Sequence, residues 1–137
     1  MISPDDESGE KWIMPVDGII TSVFGERINP ISDKSEIHNG IDIGVDEGTQ
    51  VRACISGTVS ETGENDGYGK YIKFGEGEYE ILYAHLSEVL KNEGEKVEKG
   101  ETVALSGNTG YSTGPHLHFT VFKNGNETDP LNEGDFE

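Results

Sequence analysis

The 137-residue chain sets ten basic against twenty-seven acidic residues, a formal net charge of −17. Such a surface repels polyanions, which argues against nucleic acid and anionic membranes as partners, and no hydrophobic stretch is long enough to span a bilayer. At this length one core is expected, in a single domain over residues 12–131, between polar tails at 1–11 and 132–137.

The 19 glycines and 5 prolines, with short alternating apolar stretches and no sustained 3.6-residue period, predict an all-β fold with little helix. In chain order, strands are expected at 19–24, 41–45, 50–54, 57–62, 68–74, 80–84, 102–106 and 116–123. Asn65-Asp66-Gly67 and Glu76-Gly77 should close hairpins, and Ser87 to Asn92, with Ser87 as its cap, reads as a helical turn. The acids from Asn92 to Glu101 are interspersed with Lys96 and Lys99 and read as a solvated face. Cys54, the only cysteine, forbids an internal disulfide, and its place between Ala53 and Ile55 suits a small buried apolar group.

The four histidines carry the chemistry. Two neutral imidazoles and one carboxylate make a three-ligand zinc set with a fourth position open to water, and the remaining histidines are then available for proton transfer. His38 precedes Asp42 by four residues. On a straight strand the two would stand about 13 Å apart, so the intervening Asn39-Gly40, both tolerant of positive φ, is expected to bend the chain and bring them together. Ile41, Ile43 and Val45 then alternate with Asp42, which places the carboxylate opposite an apolar row. An ordinary turn with a surface aspartate is the plainer reading of that stretch.

The last pair follows the helix-breaking Gly114-Pro115. Leu117, Phe119 and Val121 should face the core, while His116, His118 and Thr120 share the other face with stems roughly 6 to 7 Å apart. One of the two imidazoles can therefore bind a metal while its neighbour reaches the water or substrate on it. Taken alone, the pair also fits solvent-facing strand histidines.

Four segments together are more specific: Phe24-Gly25-Glu26-Arg27, His38-Asn39-Gly40-Ile41-Asp42-Ile43, Tyr83-Ala84-His85-Leu86-Ser87, and the run from Ser106 to Phe119. They resemble the lysostaphin-type, or LytM-like, zinc peptidases that cut peptidoglycan, over about residues 12–129. The resemblance implies an antiparallel sandwich or open barrel of the LytM-like, duplicated hybrid type. It implies one zinc per chain on His38, Asp42 and His118, with His85 and His116 as the catalytic histidines. It implies hydrolysis of an amide in the murein cross-bridge or stem: the metal polarises the carbonyl and acidifies its water, and imidazoles that titrate near working pH move the proton. Which of His85 and His116 is the base stays open, and Tyr83 and Thr120 are candidate partners of the ligand histidines.

No H-E-x-x-H occurs, which excludes the helical design with a glutamate base. Asn108, Thr109, Ser112 and Thr113, on a glycine-rich path beside His116, suit hydrogen bonding to an extended peptide. Tyr83 and Arg27 are further candidates for substrate contact, and Asn29 could flank the same groove. Because murein lies outside the cytoplasm and Met1 to Glu7 is not a signal peptide, the resemblance implies a piece of a longer exported or membrane-anchored protein, with Met1 added.

Three other readings compete. A non-catalytic scaffold of the same fold, with an envelope protein as its partner, would be expected to lose ligands, and all five positions are filled. A non-haem iron enzyme also uses two histidines and a carboxylate, but leaves the second histidine pair without a task. The similar stretches Asp46 to Ala53 and Val97 to Ala104, each a glycine turn entering a short strand, also resemble biotin or lipoate carriers; Lys70, Lys73 and Lys123 lack the setting of a modified lysine.

Overall fold

The computed structural model describes residues 12–28, 35–38, 40–110 and 114–133, the side chains of 26–28, 35–38 and 132–133 excepted. The chain is built almost wholly of strands: β1 (Ile19–Ser22), β2 (Gly25–Ile28), β3 (Ser35–His38), β4 (Ile41–Gly44), β5 (Gln50–Arg52), β6 (Gly57–Asn65), β7 (Gly69–Glu76), β8 (Tyr79–Val89), β9 (Lys96–Val97), β10 (Thr102–Ser106), β11 (His116–Lys123) and β12 (Asn126–Thr128). A four-residue helix, α1 (Pro130–Glu133), follows Asp129, whose carboxylate accepts from the Leu131 N–H at 3.0 Å. The tail 1–11 and residues 134–137 of the expected 132–137 tail lie outside the described residues, whereas Asn132 and Glu133 of that tail fall in α1.

All pairings are antiparallel. The main sheet runs β1-β4-β11-β8-β7-β6-β9, with β5 and β10 joined to it through β8, β12 on β11, and β2-β3 as a separate ribbon. The all-β expectation holds, and both hairpins close where the turn residues placed them, with Asn65 opposite Gly69 and Glu76 opposite Tyr79. The expected helical turn at Ser87 does not form. β8 continues to Val89 because its last residues acquire a second partner, β10, with Ser106 opposite Leu86 and Ala104 opposite Val89. Propensity within six residues yields to a ladder contributed by residues well downstream.

The core is one cluster that includes Ile41, Ile43, Val51, Ile72, Phe74, Ile81, Tyr83, Leu86, Val103, Leu117, Phe119 and Val121. Cys54 lies within it, fully buried. Ile41, Ile43, Leu117, Phe119 and Val121 are the positions that alternation assigned to the inner face, so period-two patterning sets the side on which Asp42, His116 and His118 emerge.

Candidate metal centre

β4, β11 and β8 lie side by side, and their register gathers the predicted residues into one row. Asp42 faces His118, which on its other edge faces Ala84, the residue before His85. His116 sits two residues earlier on the same face of β11, opposite the small Gly44.

Between His38 and Ile41 the chain leaves the β2-β3 ribbon and enters the main sheet. Positive φ at Asn39-Gly40 was expected to serve this bend; that angle at Gly40 turns on Asn39, outside the described residues, and what the described residues show is the packing at Gly40. Room is what it supplies: a Cβ there would stand 2.3 Å from the Phe119 carbonyl oxygen and 2.6 Å from Thr120 Oγ1. Asn39 and the His38 side chain lie outside the described residues.

His85 stands where β8 changes partner, from β11 at Ala84 to β10 at Leu86. Between the pairs Ile72↔Tyr83 and Lys70↔Leu86 strand β8 carries one residue more than β7, a bulge. Its φ is +62°, in the left-handed region unusual for a residue with a side chain. The strain is held by two hydrogen bonds: its N–H donates to the Tyr68 carbonyl at 2.7 Å and its Nδ1–H to the Thr109 carbonyl at 2.7 Å.

The protons on the rings can be read from their acceptors. His116 Nδ1–H donates to the Gly114 carbonyl at 2.7 Å. A carbonyl only accepts, so His85 and His116 both carry hydrogen on Nδ1 and are left with Nε2 as the atom that gains or loses a proton. The two rings are 4.9 Å apart, centroid to centroid. His118 is anchored the other way round. Its Nε2 lies 2.9 Å from Thr120 Oγ1, and its Nδ1 lies 2.9 Å from Asp42 Oδ1. His116 Nε2 is 3.7 Å from the same carboxylate oxygen.

Asp42 and His118 fit two positions of a zinc set. Ligand oxygen and nitrogen on a tetrahedral zinc stand about 3.3 Å apart, close to the separation found, and a cation there would take the place of the Nδ1 proton. Thr120 Oγ1 on the far ring nitrogen is the outer partner that such a ligand requires. Among the described side chains, which do not include His38, no three candidate ligands converge. The centre is sheltered, with His118 only 6% and His85 7% exposed. Burial holds the His85 imidazole below its ordinary value, and the neighbouring His116 and His118 rings act in the same direction, so His85 is neutral at pH 7.

Several expected substrate contacts are placed otherwise. Tyr83 points into the core with no exposed surface, and its hydroxyl donates to the Arg52 carbonyl at 2.8 Å while accepting from the Cys54 N–H at 3.0 Å. It neither lines the cleft nor supports a ligand histidine. The Thr109 hydroxyl is committed within the protein, donating to the Leu86 carbonyl at 2.6 Å and accepting from the Lys70 N–H at 3.1 Å. Asn108 is exposed. Ser112, Thr113, Asn29 and the Arg27 side chain lie outside the described residues. Sequence reasoning missed the carbonyls of Thr109, Gly114 and Tyr68, because a backbone acceptor leaves no signature in residue identity.

Residues 36–130 match the model of peptidase family M23. The chain belongs to this family. An uncharacterized metalloprotease of Haemophilus influenzae is 44% identical over 115 residues, covering 82% of this chain and 24% of its own length. The DD-carboxypeptidase/endopeptidase Mpg of Neisseria meningitidis is 42% identical over 114 residues, covering 82% of this chain and 26% of its own. Among solved structures, a zinc containing peptidase from Vibrio cholerae superimposes with a TM-score of 0.84 at 31% identity, over 93% of this chain and 41% of that one. The resemblance to lysostaphin-type peptidases and the LytM-like fold are thereby established, and this M23 chain spans about a quarter of the length of those two curated relatives.

Proposed function

We propose that this M23 chain is the catalytic domain of a zinc-dependent endopeptidase that hydrolyses peptide bonds in peptidoglycan cross-bridges or stem peptides. The observation that carries the reading is the opposed anchoring of the histidines: His118 offers Nδ1 beside Asp42, whereas His85 and His116 keep Nδ1–H on carbonyls and work through Nε2. His38, Asp42 and His118 would hold the metal. Zinc, when bound, supplies Lewis-acid polarisation of the scissile carbonyl and a lowered pKa for water.

His85, neutral at pH 7, can accept a proton at Nε2, and His116 Nε2, beside Asp42, can hold or return one. The exposed Asn108, with Arg27, Ser112 and Thr113, would bind the peptide beside them. The substrate places the domain on the outer side of the cytoplasmic membrane, as part of a longer exported or anchored protein. The names of the Mpg and zinc containing relatives support both the bond type and the metal.

Digestion of purified murein with mass analysis of the fragments tests this. New peptide ends are expected, lost with a chelator and restored by zinc. Murein bound but left intact at saturating zinc would overturn the reading in favour of a scaffold.

A further inference from the structure

The β6-β7 turn brings an aromatic ring to the centre that the peptidase reading leaves without a task. The ring of Tyr68 lies nearly parallel to that of His118, at 22° and 6.3 Å between centroids, and meets the Tyr71 ring edge-on at 5.7 Å. Its backbone is fully committed, the N–H to Asn65 Oδ1 and the carbonyl to the His85 N–H, each at 2.7 Å. Its hydroxyl makes no hydrogen bond among the described residues, although the residue is half-buried. Sheltered tyrosine hydroxyls usually find a partner.

The turn itself does not require a tyrosine. Asn65 supplies the cap, and Gly69, at φ +65°, supplies the left-handed step. Nor is the position loose. A Cβ on Gly69 would lie 2.3 Å from Thr109 Oγ1 and 2.6 Å from the Gly110 nitrogen, so the turn is seated directly on the loop whose Thr109 carbonyl orients His85. Tyr68 and His85 are thus fixed by the same clasp, with ring centroids 6.3 and 6.0 Å from that of His118. A rigid ring against a sheltered imidazole, with an uncommitted donor at its tip, is suited to a partner that enters the cleft.

We propose that Tyr68 is a substrate-binding residue whose phenolic O–H donates a hydrogen bond to a carbonyl or carboxylate oxygen of the peptide lying along His118. In a chain of net charge −17 this neutral donor holds a substrate oxygen without calling on a cation. The proposal rests on the peptidase reading for the identity of the ligand.

The test compares Tyr68→Phe with the wild-type chain, both zinc-loaded, using muropeptide dimers released from purified murein by a muramidase. The substitution keeps the ring and every backbone bond of the clasp. kcat/KM is expected to fall roughly tenfold, with zinc content and melting temperature unchanged. In a His116→Ala background, where turnover is slowed by about two orders of magnitude or more, the affinity for the dimers should also fall roughly tenfold. Unchanged kcat/KM and affinity would overturn the proposal, as would a loss explained by lost zinc or a lowered melting temperature. A wild-type chain that binds dimers without cutting them sinks the endopeptidase reading alone, and the affinity of the Tyr68→Phe variant then decides this one. Dimers that do not bind at all overturn both.

Discussion

Three imidazoles gather at one centre, with the His85 ring 4.9 Å from that of His116 and 6.0 Å from that of His118, and what separates them is the atom by which each is held. His118 is fixed through Nε2 by Thr120, while His85 and His116 are fixed through Nδ1 by carbonyls. The two classes should therefore part under substitution. His118→Ala is expected to lose the single bound zinc. His116→Ala should keep it while cleavage falls by about two orders of magnitude or more. Metal analysis of both variants beside a murein digest checks the division; a His116→Ala chain that has lost its zinc, or still cuts at the wild-type rate, would contradict it.

At the scale of the element, β8 does the most. It joins β11 and β7 along its first half and β10 along its second, and the bulge at that exchange brings the His85 ring beside those of His116 and His118. Two positions before the bulge, Tyr83 ties the strand to the end of β5 through the Arg52 carbonyl and the Cys54 N–H. Tyr83→Phe removes both bonds and leaves a buried donor unpaired, so stability measured by denaturant titration should fall by about 1–3 kcal/mol. KM and zinc content should not change. A raised KM at unchanged stability would restore Tyr83 to the substrate groove, the role that its position in Tyr83-Ala84-His85 suggested.

For the molecule as a whole, the single core closes over Cys54. Burial pushes its thiol up to about 12, against only partial relief from the Tyr83 hydroxyl. The reactive thiolate is thus scarce at any ordinary pH. Labelling by a thiol reagent at pH 8 is expected to proceed no faster than global unfolding and to accelerate with denaturant; rapid labelling of the native chain would show that the core opens locally there. The same packing disposes of the carrier reading. Gly48 and Gly100 do form the paired turns, at φ +89° and +91°, but Lys70 donates to the Ser87 carbonyl, Lys73 pairs with Glu61 at 3.9 Å and Lys123 lies over the Tyr79 ring at 5.9 Å, so each of the three lysines is engaged with the protein.

Alternation and turn chemistry are local, and they were enough to determine an all-β chain, two hairpins, the inner face of β4 and β11, and the stretches that carry Asp42, His85, His116 and His118. The family was legible in the order of those stretches. Tertiary structure alone decided which nitrogen of each ring holds a proton, that Gly40 is there for space, that Tyr83 belongs to the core, that Ser87 extends a strand, and that Tyr68 reaches His118. Each of these depends on a backbone carbonyl or a strand far away in sequence. A carbonyl is the same at every residue, so its use as an acceptor is written only in the register of the sheet.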